Sequence, residues 1–226
     1  MAVELDKVVP WGRAHAEYHA MFDLASADMS SVLDCGGGPA SFVAELAQQG
    51  ISAVSVDPIY VHTGSEIERR FEENFEKIIG EATATPNDWS WTYHENPAAL
   101  GLARRGALKA FLADYRAGLQ VGRYRIGELP SLPFESDSFG MAVCSHFLFL
   151  YSHLLPEDFH VRAVLELCRV AREVRLFPLL TLRREPSPHL PAVMAALVAR
   201  GYSVERVTVG YELLRGANQM LRIYRK

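Results

Sequence analysis

The stretch "SVLDCGGGPASF", from Ser31 to Phe42, decides the fold of this chain. A short apolar run ends in the acid Asp34, three consecutive glycines occupy positions 36–38, and a helical pattern begins after Pro39. A strand, a glycine turn and a helix in this order let α/β proteins bring backbone amides close to a bound group. The residues around the glycines therefore indicate which group this turn accepts.

The composition predicts one domain over residues 1–226. The 226 residues include 49% hydrophobic and 22% charged side chains, enough for one sizeable core, and the formal net charge is −4. No apolar run approaches the roughly 20 residues that cross a bilayer. The three cysteines form no CxxC pair and no even-numbered disulfide framework, which favours a reducing compartment. We therefore expect a cytoplasmic protein without a membrane segment.

Short, β-branched apolar runs at residues 31–34, 52–57, 123–126, 139–145 and 173–180 alternate with helical patterns. This alternation predicts βαβ units on a parallel sheet. Near the C-terminus, "YSVERVTVGYEL" and "NQMLRIYRK" are separated only by "LRGA". A connection this short predicts a hairpin, so the last pairing should be antiparallel.

About 65 residues between Asp57 and Arg123 replace the usual short crossover. Apolar residues recur at helical spacing on both sides of "PNDWSWTYHENP", which predicts two helices. We expect a helical insertion over residues 63–120, beyond the C-terminal end of the second strand, where open α/β sheets bind ligands. The aromatic segment between the helices forms either their shared core or a wall of a substrate pocket.

The glycine turn departs from the fingerprint of dinucleotide-binding folds. Gly36 and Gly38 supply its first two glycines, but the third falls on Ser41. Asp34 would repel a pyrophosphate and favour a cation. Asp57 follows Gly38 by 19 residues, the distance at which such folds place an acid that binds ribose hydroxyls. The turn thus suits a nucleoside with a positive, phosphate-free tail, such as S-adenosylmethionine, and disfavours a nicotinamide-dependent oxidoreductase.

At this point the sequence resembles the class I S-adenosylmethionine-dependent methyltransferases. The resemblance lies in "VLDCGGGPA", "VSVDP", "YRIGELPSLPFESDSFGMAVCS" and the terminal hairpin, in that order. The segment Gly12 to Phe22 is similar to the "GRxxxEYxxMF" segment of an uncharacterised bacterial branch of that superfamily. The resemblance implies an α/β, Rossmann-like three-layer sandwich with a seven-stranded, mostly parallel sheet and an antiparallel C-terminal hairpin. It also implies methyl transfer from S-adenosylmethionine.

The resemblance further implies roles for individual residues. The backbone at Gly36 and Gly38 would line the methionine part of the cofactor, and Asp34 would organise the loop or reach the ammonium group. Asp57 would hold the ribose. Two more cofactor contacts fall in "GELPSLPF", where Glu128 takes the place of the acid that accepts from the adenine amino group and the Leu129 backbone meets the ring. Glu128 departs from the commoner aspartate by one methylene.

Two more places are expected to contribute to the site. Ser145 and His146 end the fourth strand, where cofactor and acceptor should meet. His146 is either a general base for an acceptor proton or a histidine that shapes the pocket or contacts the cofactor. On the N-terminal helix, Arg13 and Tyr18 either form a lid that offers Arg13 to the cofactor carboxylate, or pack with Tyr18 buried and Arg13 solvated.

The sequence also bears on whether the site holds a metal and on which class of molecule accepts the methyl group. His15 and His19 are spaced like metal ligands, but no third ligand is identifiable, so we expect no metal. "CSHF" after the fourth strand is not the Asn–Pro–Pro–aromatic motif of amine and base methylases, and with the acidic net charge this disfavours nucleic acid. We expect a small-molecule acceptor under the inserted helices, and the sequence does not identify its reacting atom. The alternatives are an S-adenosylmethionine-binding module without turnover and an RNA methyltransferase using the arginines around residues 162–175.

Overall fold

The computed structural model describes residues 7–27 and 29–225. In these residues a seven-stranded sheet has the order β3-β2-β1-β4-β5-β7-β6. The strands are β1 Ser31–Cys35, β2 Ser52–Val56, β3 Tyr124–Arg125, β4 Phe139–Ser145, β5 Ala171–Phe177, β6 Tyr202–Thr208 and β7 Gln219–Arg225. The helices are α1 His15–Phe22, α2 Phe42–Gln48, α3 Gly64–Ala84, α4 Pro97–Gln120, α5 Glu157–Val170 and α6 Leu190–Val198.

The strand directions confirm the predicted architecture. β1 pairs in parallel with β2 on one side and β4 on the other, and β4 pairs in parallel with β5. β7 is antiparallel to both β5 and β6, as the terminal hairpin requires. The chain proceeds in opposite directions from β1, to β2 on one side and to β4 on the other. The carboxyl ends of β1 and β4 therefore bound the crevice in which such sheets bind ligands.

Most strand boundaries lie within two residues of the expectation, but two strands, β5 and β6, end earlier than expected. β5 ends at Phe177 and not at residue 180, because Pro178 has no N–H to donate to a neighbouring strand. The hairpin connection spans residues 209–218, longer than the four residues expected. It is longer because Tyr211, within the expected strand, turns inward and is fully buried.

The two predicted helices are present between β2 and β3, and their first turns explain where they begin. At α3, Thr63 Oγ1 accepts from Glu66 N while the Glu66 carboxylate accepts from Thr63 N, which is a capping box. At α4, Asn96 Oδ1 accepts from Ala99 N at 2.9 Å, and proline occupies the first helical position. Within residues 7–27 and 29–225, none of the helices combines the length and the apolar composition that a membrane span requires.

The sheet lies between two hydrophobic clusters. Along β4, Met141 and Val143 belong to the cluster that contains α1, α3 and α4, whereas Ala142 and Cys144 belong to the cluster that contains α5 and α6. This alternation is what a strand produces when both of its faces are covered. The result is a three-layer sandwich.

Candidate functional site

A cavity of about 560 Å³ opens at the carboxyl ends of β1, β2 and β4. Its volume is in the range of pockets that bind small molecules. All the predicted site residues except Asp34 line it: Arg13, Tyr18, Gly36, Gly38, Asp57, Glu128, Leu129, Ser145 and His146. The structure thus brings together residues that are separated by up to 133 positions in sequence (146 − 13).

The glycine turn is held by hydrogen bonds to β2 and to the residues after it. Gly36 and Gly38 both have left-handed backbone conformations, with φ of 71° and 55°. Gly36 N donates to Val56 O at 2.8 Å, and Gly38 N donates to Asp57 Oδ2 at 2.9 Å. Asp57 Oδ1 accepts from Ile59 N at 2.8 Å. Since each carboxylate oxygen has two lone pairs, Asp57 can still accept from a ligand hydroxyl.

Asp34 lies beneath this turn and does not line the cavity. Its carboxylate accepts from Tyr18 Oη at 3.2 Å and from Ser55 Oγ at 3.3 Å. Burial raises the pKa of Asp34 to about 7, although these two hydrogen bonds act in the opposite direction. A Cβ on Gly37 would lie 2.2 Å from Asp34 Oδ2, so only glycine fits above the carboxyl group. This placement fits the loop-organising role of Asp34, and the need for Gly37 was not predicted.

The N-terminal helix packs over the turn with Tyr18 buried and Arg13 buried beside it. The Tyr18 ring stacks on Phe42 at 4.1 Å between centroids. Arg13 is only 9% exposed, so the alternative in which Tyr18 is buried and Arg13 is solvated is wrong in its second part. Its Nη1 donates to Trp11 O at 3.0 Å, while its Nε has no hydrogen-bond partner among the described residues. Burial and the charge of Arg104 lower the pKa of Arg13.

His146 stands at the end of β4 in a left-handed conformation with φ of 51°. Its backbone N–H donates to Phe177 O at 2.6 Å, and its ring Nδ1 lies 2.9 Å from Ser145 Oγ. Burial, with the charges of Arg13 and Arg104, holds the pKa of His146 well below its ordinary value. The imidazole is therefore neutral at physiological pH, as a general base must be.

Glu128 and Leu129 lie on a turn that crosses close to the end of β2. Ser131 N donates to Glu128 O at 3.2 Å, and a Cβ on Gly127 would lie 2.8 Å from Val56 Cγ2. Glu128 and Leu129 both line the cavity; Glu128 is exposed, whereas Leu129 is 5% exposed. The turn thus presents a carboxylate beside an apolar surface.

A buried ionic cluster around Glu17 adjoins the cavity and was not predicted. Glu17 Oε1 accepts from Tyr211 Oη at 2.8 Å and lies 3.0 Å from His94 Nε2. Glu17 Oε2 accepts from Arg104 Nη1 at 2.5 Å and from Ala14 N at 2.9 Å. Burial alone would raise the pKa of Glu17, but the charge of Arg104 and the hydrogen bonds hold it well below its ordinary range.

This cluster joins four parts of the chain: α1, the segment before α4, α4 itself and the connection between β6 and β7. Arg104 is fully buried between Leu100 and Leu108 on the apolar face of α4. A charged residue on an otherwise apolar helical stripe is the sequence signal that could have indicated a buried partner.

The two histidines with metal-like spacing lie against each other, with ring centroids 4.5 Å apart. Burial lowers the pKa of His15, whose Nδ1 lies 3.9 Å from the Glu45 carboxylate. Within residues 7–27 and 29–225, no group of three His, Cys, Asp or Glu residues is placed to hold a metal ion.

Three of the four arginines in residues 162–175 have partners within the protein. Arg162 pairs with Asp158 at 2.9 Å, and Arg169 pairs with Glu166 at 2.7 Å. Arg175 is buried, 1% exposed, and donates to the backbone after α1. Arg175 is therefore not available to a nucleic acid, whereas Arg162 and Arg172 are exposed, so the RNA alternative stays untested.

Comparison with known proteins identifies one curated relative. The uncharacterized protein MJ0045 of Methanocaldococcus jannaschii is 31% identical over 225 residues, and the match covers 99% of each chain. No protein-family model matches the sequence. The structure that shows the conversion of a disulfide bond into a thioacetal group during echinomycin biosynthesis has a TM-score of 0.50 at 14% identity. That match covers 96% of this chain and 85% of the other.

Two further solved structures are similar at slightly lower scores. Magnesium protoporphyrin IX methyltransferase from Synechocystis PCC 6803, with bound S-adenosylhomocysteine, has a TM-score of 0.48 at 15% identity and covers 94% of this chain and 80% of that one. A TehB-like methyltransferase from Corynebacterium glutamicum has a TM-score of 0.48 at 13% identity, with coverage of 93% and 86%. The chain belongs to the family of MJ0045, and its fold is that of the class I S-adenosylmethionine-dependent methyltransferases.

Proposed function

We propose that the protein transfers the methyl group of S-adenosylmethionine to a small-molecule acceptor bound in the cavity. The observation that carries this proposal is the convergence of the glycine turn, Asp57, Glu128 and the buried Arg13 on one cavity at the switch point of the sheet. A dinucleotide cofactor fits less well, because the third glycine of its fingerprint is replaced by Ser41 in this turn.

The residues present match the cofactor group by group. The Arg13 guanidinium, which has an unpartnered Nε, suits a carboxylate. Asp57 suits the two ribose hydroxyls. Glu128 can accept from the adenine amino group, and Leu129 supplies an apolar surface for the ring. Gly36 and Gly38 leave space beside the turn for the methionine part.

When bound, the cofactor supplies a methyl group that the sulfonium has already activated. The chain then has to align the acceptor and exclude water, and alignment alone can provide much of a rate enhancement. If Nδ1–H of His146 donates to Ser145 Oγ, the lone pair on Nε2 is free. His146 would then accept the proton of an acceptor hydroxyl at Nε2.

Titration calorimetry with S-adenosylmethionine, S-adenosylhomocysteine and NAD tests the proposal. We expect the first two to bind and NAD to bind at least tenfold more weakly. Arg13→Met should weaken S-adenosylhomocysteine at least tenfold, whereas Arg116→Met, on the exposed face of α4, should leave its affinity unchanged. NAD binding more tightly than both sulfur ligands would refute the proposal. Tight cofactor binding with no methyl transfer to any acceptor would favour the non-catalytic alternative.

A further inference from the structure

The ionisable side chains that line the cavity are unequally divided between acids and bases. Among the described lining residues, the acids are Asp57 and Glu128, and the proposed function assigns both to the cofactor. The basic and imidazole side chains are Arg13, Arg70, His62 and His146. With Arg13 and His146 also assigned, Arg70 and His62 remain. An acceptor that carries an ammonium group would therefore find no acid left to bind it.

The rest of the cavity wall is apolar and comes from distant parts of the chain. Its large side chains include Val9, Trp11, Ile78, Trp89, Leu150 and Leu213. Trp89 is 4% exposed and forms a bridge to Leu214, so the aromatic segment before α4 is fixed against the connection between β6 and β7. This wall suits an acceptor with an apolar body.

Arg70 is the unusual member of this wall. It lies on α3, lines the cavity, and its Nε is buried with no hydrogen-bond partner among the described residues. No ion pair within 4.0 Å joins its guanidinium to a described acid, and its charge is only a minor contribution to the lowered pKa of Glu66. Glu66, one turn earlier, is exposed and its carboxylate is engaged with Thr63 at the helix cap. By contrast Arg69, the preceding residue, pairs with Glu73 at the protein surface.

We propose that the methyl acceptor is a small molecule with an apolar body and an anionic group, and that Arg70 binds this anion. A guanidinium forms paired, charge-assisted hydrogen bonds with either a carboxylate or a phosphate. A buried guanidinium nitrogen without a partner is costly to maintain, and an anionic ligand supplies the missing acceptor. The inference rests on the proposed function in two respects: it takes the assignment of the other charged lining residues from it, and it names this ligand as the acceptor.

Matched pairs of probes test the charge preference. Benzoate, 2-naphthoate and indole-3-acetate are each compared with the corresponding primary amide, and phenyl phosphate with phenol, by titration calorimetry at saturating S-adenosylhomocysteine. Saturation keeps the probes away from Arg13. We expect at least one anion to bind tenfold or more tightly than its neutral partner. Comparison of the carboxylate pairs with the phosphate pair shows which of the two anionic groups the site prefers.

The Arg70 variants connect this preference to one side chain. Arg70→Met should abolish the charge preference, Arg70→Lys should retain part of it, and Arg69→Met should keep all of it. The affinity for S-adenosylhomocysteine should remain within twofold in all three variants. If Arg70→Met does not fold, loss of part of the preference in Arg70→Lys still decides the question.

Two results overturn the inference. One is that no anion binds more tightly than its neutral partner; the other is a preference that survives Arg70→Met. Either result with normal S-adenosylhomocysteine binding leaves the proposed function intact. Failure of S-adenosylhomocysteine to bind the unchanged protein would instead contradict the proposed function, and the same probe pairs are then titrated into the free protein to judge Arg70 separately.

Discussion

Asp34 shows how enclosure of one side chain affects the whole protein. It is 1% exposed, and its burial raises the pKa to about 7. In the unfolded chain the same carboxyl group ionises near pH 4. Between these pH values the folded protein holds a proton that the unfolded chain has released. Raising the pH from about 4 to about 7 must therefore lower the contribution of Asp34 to the free energy of unfolding.

Asp34→Asn should remove this dependence, since the amide is nearly isosteric and does not ionise. Relative to the variant, the unchanged protein should lose on the order of 4 kcal/mol of unfolding free energy from pH 4 to pH 8. Asp57, whose burial raises its pKa to about 6, acts in the same direction in both proteins, so its own contribution largely cancels; its charge also raises the pKa of Asp34, and that part belongs to the difference. Urea unfolding at several pH values measures this difference in unfolding free energy, and Asp158→Asn, at an exposed position, is the control. Parallel pH profiles of the two proteins would contradict the assignment.

A variant of His146 distinguishes a role in proton transfer from a role in cofactor binding. The lowered pKa of His146 keeps the imidazole neutral above pH 6.5. If His146 accepts the proton, its titration should therefore cause little change in the rate of methyl transfer above that pH. His146→Ala should lower turnover by about 100-fold or more, the range of general base catalysis, while the affinity for S-adenosylhomocysteine changes by less than threefold. Single-turnover methyl transfer and calorimetry measure the two quantities. An equal loss in both would assign His146 to cofactor binding.

At the scale of elements, Glu17 and Arg104 connect α1 to α4. Both side chains are removed from solvent, so their attraction has to offset a large desolvation cost, and removing one partner leaves the other charge buried. The cluster also includes Tyr211 and His94, which come from irregular segments. The positions of α1 and α4 relative to the sheet therefore depend on a few polar contacts as well as on apolar packing.

Arg104→Met should lower the free energy of unfolding by about 3–5 kcal/mol, because Glu17 then stays buried without its strongest partner. Arg105→Met, one residue later, breaks exposed pairs with Glu72 and Glu76 and a cation–π contact with Phe75, and should cost about 1.5 kcal/mol or less. Urea unfolding measures both variants. The double variant Glu17→Gln with Arg104→Met should cost less than the sum of the single changes. Additive costs would show that the two side chains do not interact.

The contrast between this cluster and the glycine turn shows what sequence can predict. The contact between Gly38 and Asp57 spans 19 residues, within one strand–helix–strand unit, and its spacing is set by that unit. The contacts of Glu17 with Arg104 and Tyr211 span 87 and 194 residues, and no local period connects them. The strands, the helices and the parallel strand pairing follow from local sequence patterns. The burial of Arg13 and of Tyr211 depends instead on tertiary packing, which no local pattern predicts.

On the scale of the whole molecule, the cavity is bounded by both hydrophobic clusters. Trp89, Leu150 and Leu213 belong to one cluster, and Val56 and Leu129 belong to the other. A ligand in the cavity would therefore contact side chains from both faces of the sheet and from the helices after β2. This arrangement makes the cavity a product of the complete fold and not of the sheet alone.

We therefore propose that residues 63–120 unfold together with the rest of the chain as one domain. All three tryptophans lie outside the sheet, with Trp89 and Trp91 between α3 and α4 and Trp11 stacked on α3, so fluorescence reports on these helices. Far-ultraviolet circular dichroism reports on all helices and strands. We expect coincident thermal transitions by both probes. S-adenosylhomocysteine at 100 times its Kd should raise the free energy of unfolding by about 2.7 kcal/mol, and it should shift the transitions seen by the two probes equally. An earlier fluorescence transition would show that residues 63–120 unfold separately, because the buried contacts of Arg104 and Trp89 would then be insufficient to couple them to the sheet.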